Sequence, residues 1–167
     1  LILSLMFTVT LSPNVVMSET VKYEDLVTRK GLYYRKSSDV PFTGKTTGKT
    51  QGTFKNGKKD GPYVRYHKNG QLKEQGVYKD GQWGVTDGPY VSYRDYGKLE
   101  KEGIYKDGKR IGLWSFYYPK GHLKTKTTYK DGKEHGPHLS YRRENGKLSS
   151  KGILKGDNRE GPWVYYN

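Results

Sequence analysis

Apolar and polar residues alternate along most of the chain in short runs, and glycine-containing polar pairs separate the runs. One stretch sets the pattern. Gly103 opens GIYKDGKRIGLWSFY, and related segments open at Gly52 (GTFKNGKKDGPYVRY), Gly76 (GVYKDGQWGVTDGPYVSY), Thr127 (TTYKDGKEHGPHLSY) and Gly152 (GILKGDNREGPWVYY). The starts at 52, 76, 103, 127 and 152 give spacings of 24, 27, 24 and 25 residues. Self-similarity at such a period marks a repeat architecture. Within each unit the alternation has the period of two that belongs to strands. The first strand ends at Asn56-Gly57, Asp80-Gly81, Asp107-Gly108 or Asp131-Gly132. These pairs favour a type I′ turn, whose two central residues both take positive φ. The second strand starts at Gly61-Pro62, Gly88-Pro89, Gly112-Leu113, Gly136-Pro137 or Gly161-Pro162. The expected fold class is all-β: a single-layer twisted antiparallel meander of about ten short strands, built from repeats of about 24 residues.

Alternation also assigns faces. In the returning strands Leu99, Gly103 and Tyr105 share a side, as do their equivalents in the other units. A glycine between two large residues leaves room for a ring from the neighbouring strand to lie across the backbone. In the outgoing strands one side carries Val64 and Tyr66, Val91 and Tyr93, Ser115 and Tyr117, Leu139 and Tyr141, Val164 and Tyr166. This set is the more uniform and is expected to be the packed face. The other side carries Tyr63, Tyr90, Trp114, His138 and Trp163, with Arg65 and Phe116 among their neighbours.

Composition agrees with a thin, ordered sheet. Only 32% of the 167 residues are hydrophobic, and the mean hydropathy is −0.99. That is too little apolar material for a thick two-layer core. Yet 14% are aromatic, including 16 Tyr, and disordered chains are poor in aromatics. The formal net charge of +14 suits phosphates, acidic proteins or anionic lipid headgroups, although many of the lysines simply flank turns. The absence of cysteine excludes disulfides, thiolate metal sites and a cysteine nucleophile.

Residues 1–18 carry no charge. Their apolar run Leu1–Leu11 has the length of a signal-peptide core and is too short to span a bilayer as a helix. Val16 and Ser18 supply small residues before a cleavage site at Glu19. Export to the periplasm or the extracellular space is therefore expected, and a cytoplasmic location otherwise. Residues 19–51 form a lead-in and N-terminal cap. The repeats follow as 52–75, 76–102, 103–126, 127–151 and a partial 152–167.

The units resemble MORN repeats, and more closely the MORN-repeat-variant group, through G-x-[YF]-x-[ND]-G-x-x-x-G-x-[WYH]-x-x-Y and the connecting N-G-x-L. With Pro41-Phe42-Thr43-Gly44 in the lead-in, the chain also resembles bacterial YwqK-type antitoxins. The resemblance implies a binding or scaffolding role and no particular substrate. Three departures stand out: an insertion around Trp83-Gly84-Val85, Thr127 and His138 in the fourth unit, and Lys155-Gly156-Asp157 in place of Lys-Asp-Gly in the fifth.

Motifs for chemistry are weak. His135 and His138 flank a Gly-Pro pair and point to opposite faces of a strand, so no metal site is assigned. Gly44–Thr50 contains G-K-T twice but is one residue short of a phosphate-binding loop and leads into strands, not a helix. The acidic residues are turn aspartates or exposed strand glutamates. The expectation is a non-enzymatic protein-binding module, antitoxin-like in the sense of the resemblance, with no catalytic residue, cofactor or metal. The candidate binding residues are Tyr63, Arg65, Tyr90, Arg94, Trp114, Phe116, Arg142 and Trp163, because aromatics interleaved with cations form hot spots. The partner is another protein. The alternative is a basic surface for anionic lipid headgroups or polymers, with no specific nucleic acid.

Overall fold

A computed structural model describes residues 18–79, 81 and 87–167. The apolar run at Leu1–Leu11 and the insertion around Trp83-Gly84-Val85 lie outside the described residues. The lead-in contains β1 (Glu19–Lys22), a 3-10 turn (Tyr23–Asp25), β2 (Leu26–Arg29), β3 (Leu32–Arg35) and β4 (Gly44–Thr47). The repeats supply β5 (Thr50–Lys55), β6 (Lys58–Tyr66), β7 (Leu72–Tyr78), β8 (Gly88–Tyr93) and β9 (Leu99–Lys106). They continue through β10 (Lys109–Tyr117), β11 (Leu123–Lys130), β12 (Lys133–Tyr141), β13 (Leu148–Lys155) and β14 (Asn158–Tyr165). Strands β4 to β14 pair in chain order as an antiparallel meander, and β1 joins it as a parallel neighbour of β4. The two G-K-T triplets fall in the β4–β5 hairpin. Strands β2 and β3 form a separate hairpin.

Local turns and bonds pin the strand ends of the repeats at several places. At one end Asn56-Gly57 (φ 49°, 74°), Asp107-Gly108 (49°, 74°) and Asp131-Gly132 (54°, 88°) have the paired positive φ of type I′ turns. The inverted pair Gly156-Asp157 reaches the same region (61°, 73°), so the change of order in the fifth unit preserves the turn. At the other end, the loops close with a return bond: His67 N–H to Gln71 O and Arg94 N–H to Lys98 O, each 2.8 Å.

The packed face is the one opposite to that expected from uniformity. Trp114 is 0% exposed, Tyr63 6% and Tyr90 9%, whereas Val164 on the Val/Tyr side is 45% exposed. The reason lies in the register. Tyr63 stands opposite Gly52 and Gly76, and Tyr90 opposite Gly103. Trp114 lies over Gly103 on one side and faces Thr127 on the other. His138 stands between Thr127 and Gly152, and Trp163 lies over Gly152. Large and small residues thus alternate along one row that crosses the sheet. The Trp114 and Trp163 indoles lie over a glycine backbone, and Trp114 is walled by its neighbours: Tyr105 meets it edge-on at 4.9 Å, and Phe116 stacks on it at 5.9 Å. The Trp114 indole N–H donates to Ile104 O (3.1 Å). A single layer thereby makes its own core. At the N-terminal end the lead-in covers this face, with Tyr33 and Phe42 packed on Phe54.

A Cβ on Gly103 would overlap the Trp114 indole. Gly103→Ala is expected to cost on the order of 1–3 kcal/mol by overpacking, and Trp114→Ala about 3–5 kcal/mol. Because the alanine Cβ fits once the ring is gone, the double variant is expected to cost clearly less than the sum of the two. Urea titrations of the four proteins measure this, and additive costs would contradict the ring-on-glycine account.

Candidate functional site

The cations of the sheet take up defined positions relative to the ring row. In β6, β10 and β14 the second residue of the strand is a cation that lies over nearby rings. Lys59 Nζ lies 5.1 Å from the Tyr78 centroid, 5.4 Å from Tyr33 and 5.7 Å from Tyr23. The Arg110 guanidinium lies 4.9 Å from Trp114 and 5.2 Å from Phe116, and Arg159 lies 4.4 Å from Trp163. A cation on a ring face is attracted by its quadrupole while the head stays near water.

One concavity lies where the lead-in meets the sheet. It measures about 380 Å³, and its walls include Tyr23, Tyr33, Tyr63, Tyr78, Tyr90 and Tyr105. Arg65 donates to Glu74 Oε1 at 2.7 Å, and the Tyr90 hydroxyl donates to Glu74 Oε2 at 2.8 Å. With Lys58, Lys59 and Arg65 against Glu74, cations outnumber carboxylates on the lining. Burial raises the phenol pKa of Tyr63, and the nearby Glu74 carboxylate raises it further. Burial also raises Tyr90, reinforced by its bond to Glu74, and Tyr78 is raised by burial as well. These phenols stay neutral and can donate hydrogen bonds throughout the physiological range.

Of the eight residues singled out from sequence, Tyr63, Arg65 and Tyr90 come together in this cleft. Trp114 and Phe116 lie farther along the same face beneath Arg110, and Trp163 lies beneath Arg159. Arg94 and Arg142 stand elsewhere, in the loops after β8 and β12. Arg94 Nη2 donates to Tyr117 O (3.3 Å), and Arg142 bonds Tyr166 O. His67 Nε2 contacts Tyr93 O (2.9 Å), and the Tyr118 hydroxyl donates to Tyr141 O (3.1 Å). The residue after each outgoing strand therefore clasps the backbone of the next unit. Sequence reading missed Lys59, Tyr78 and Glu74 as cleft residues. The signal for Lys59 was its equivalence to Arg110 and Arg159.

Residues 59–80 and 110–131 match the family described as MORN repeat variant. Two segments of the chain are thus similar to MORN repeats. Both matched segments begin at the cation over the ring, Lys59 or Arg110, and run to Asp80 or Asp131 in the sequence. The MORN match therefore covers the outgoing strand, its clasp and the return. No curated protein matches the chain at a significant level.

The fourth unit departs from the third and fifth at three linked positions. Thr127 replaces the glycine, His138 the large ring and Glu134 the cation. They compensate one another. Thr127 is 0% exposed and its Oγ1 lies 3.1 Å from His138 Nδ1, while His138 Nε2 lies 3.2 Å from Ser140 Oγ. Glu134 Oε1 is 3.8 Å from His138 Nδ1. A smaller ring makes room for the threonine methyl, and the polar atoms pair internally. Burial lowers the His138 pKa; Glu134 acts against this and Arg159 adds to it. A depressed folded pKa gives stability that is fully present above the unfolded value of about 6.5 and is lost as pH falls below it toward the folded value. Urea unfolding of the wild type is expected to weaken over that window relative to His138→Gln, which carries no titrating group there. Parallel profiles for the two proteins would show that His138 is not linked to folding.

Proposed function

We propose that this chain is a non-enzymatic protein-binding repeat module that receives an acidic segment of its partner in the tyrosine-lined cleft. The observation that carries the reading is the cleft lining: neutral phenols around Lys59 and Arg65, with Glu74 as the carboxylate. A partner carboxylate entering there meets cations and hydroxyl donors that are already ordered. Less conformational freedom is then lost on binding, and aromatic and arginine side chains are the residue types that dominate binding energy. MORN repeats are binding modules, which supports the general role. The narrower reading is antitoxin-like, with an acidic toxin as partner, and it is supported by the Pro41-Phe42-Thr43-Gly44 lead-in. Export is part of the proposal and is supported by the uncharged run Leu1–Leu11 followed by Val16 and Ser18. The second reading, attraction to anionic lipid headgroups, is favoured by the net charge of +14.

Affinity capture from lysate of the source cells, with wild type and Lys59→Glu as paired baits, separates the two. One stoichiometric protein held by the wild type and lost by more than about tenfold from the variant is the expected result. Retention of lipid or polyanion alone, released by raising salt, would assign the binding to charge. Equal retention of a protein by both baits would remove the cleft from the account.

A further inference from the structure

The face opposite the ring row carries a second pattern with a symmetry of its own. One row on it reads, from β6 onward, Val64, Gln75, Val91, Glu102, Ser115, Lys126, Leu139, Lys151 and Val164, each directly opposite the next in the ladder. The row beside it includes the paired residues Pro62 and Val77, Pro89 and Ile104, Leu113 and Thr128, and Pro137 and Ile153. Its large residues lie open: Leu113 is 52% exposed, Ile104 45% and Ile153 43%. Contiguous exposure of this kind marks an interaction surface.

Both rows are nearly mirror-symmetric about β10. Glu102 lies one strand before β10 and Lys126 one strand after. Val91 and Leu139, with Pro89 and Pro137, lie two strands out on either side. Val64 and Val164 lie four strands out. We infer that this face pairs with the same face of a second copy about a two-fold axis parallel to β10. Such an axis reverses strand order and keeps position along the strand. Apolar residues then meet apolar residues, Leu113 meets its own copy, and Glu102 of each protomer meets Lys126 of the other. The Tyr117 hydroxyl donates to Glu102 Oε1 at 2.7 Å, which holds the carboxylate on this face. Self-complementarity is what an isologous interface requires, and aligned packing of two sheets is an established arrangement. Strands β9 and β11 lie about 5 Å from the axis, where the twist between packed sheets displaces the register least.

Size and charge are compatible with this assembly. Nine strands about 4.8 Å apart, with two rows of side chains about 7 Å apart, cover roughly 500 Å² per copy. The pair reaches on the order of 1,000 Å², the threshold for a specific interface. The net charge of +14 per chain opposes association at low salt, and screening relieves it. The dimer therefore tightens as salt rises, opposite to binding of an anionic surface. The inference is independent of the cleft, which lies on the other face.

The test is sedimentation velocity on the full chain over a wide range of concentration and salt. The expected result is a monomer–dimer equilibrium that strengthens with salt. Leu113→Glu sets two carboxylates against each other on the axis and is expected to raise the dimer Kd by more than about tenfold. Glu102→Lys and Lys126→Glu are each expected to weaken the dimer, and the double exchange to restore it. Far-ultraviolet circular dichroism checks that each variant is folded, and the restoring double exchange keeps the test independent of any single variant. A wild type that stays monomeric at all salts overturns the inference. So does association unchanged by Leu113→Glu, or a double exchange no tighter than the single variants.

Discussion

The structure depends on an aromatic ring lying flat on a glycine of the neighbouring strand. A one-layer sheet has no second layer to bury its side chains. This sheet solves the problem sideways, along itself: the glycine lowers the floor, the ring covers it, and flanking rings wall it in. Trp114 over Gly103, fully removed from water, shows how far this can go. A cation such as Arg110 closes the remaining side, which reconciles strong positive charge with an ordered aromatic core. Stability is then spread over nearest-neighbour contacts, as in other repeat proteins.

Strand ends carry the rest of the order. Turns with paired positive φ fix one end, and the clasp from His67, Arg94, Tyr118 or Arg142 to the next unit's carbonyl fixes the other. The clasp side chains differ in chemistry but share an acceptor. What is maintained is the donor position, not the residue type.

Much of this was legible in the sequence. Turn pairs, repeat boundaries and the strand meander followed from alternation and turn chemistry, and the room above Gly103 followed from the glycine between Leu99 and Tyr105. The packed face did not follow. The Val/Tyr side is the more uniform, but uniformity does not measure burial; standing opposite a glycine does, and Tyr63, Tyr90 and Trp114 have that position. Arg94 and Arg142 read as members of a binding row because strand parity says nothing of a loop side chain reaching a backbone oxygen two strands away. In the fourth unit Thr127 and His138 were visible as separate oddities. Register shows them as one exchange, completed by Glu134.

The alternation of large and small along the ring row has a consequence for how such a protein can change length. Gain or loss of a single strand would set ring against ring or glycine against glycine and would also reverse chain direction at every later pairing. Gain or loss of a two-strand unit preserves both the alternation and the direction. It also leaves each clasp with a carbonyl to meet. The sheet is thus quantised in hairpin pairs, so duplication or deletion of whole units is the step by which its surface can be lengthened or shortened without rebuilding what remains.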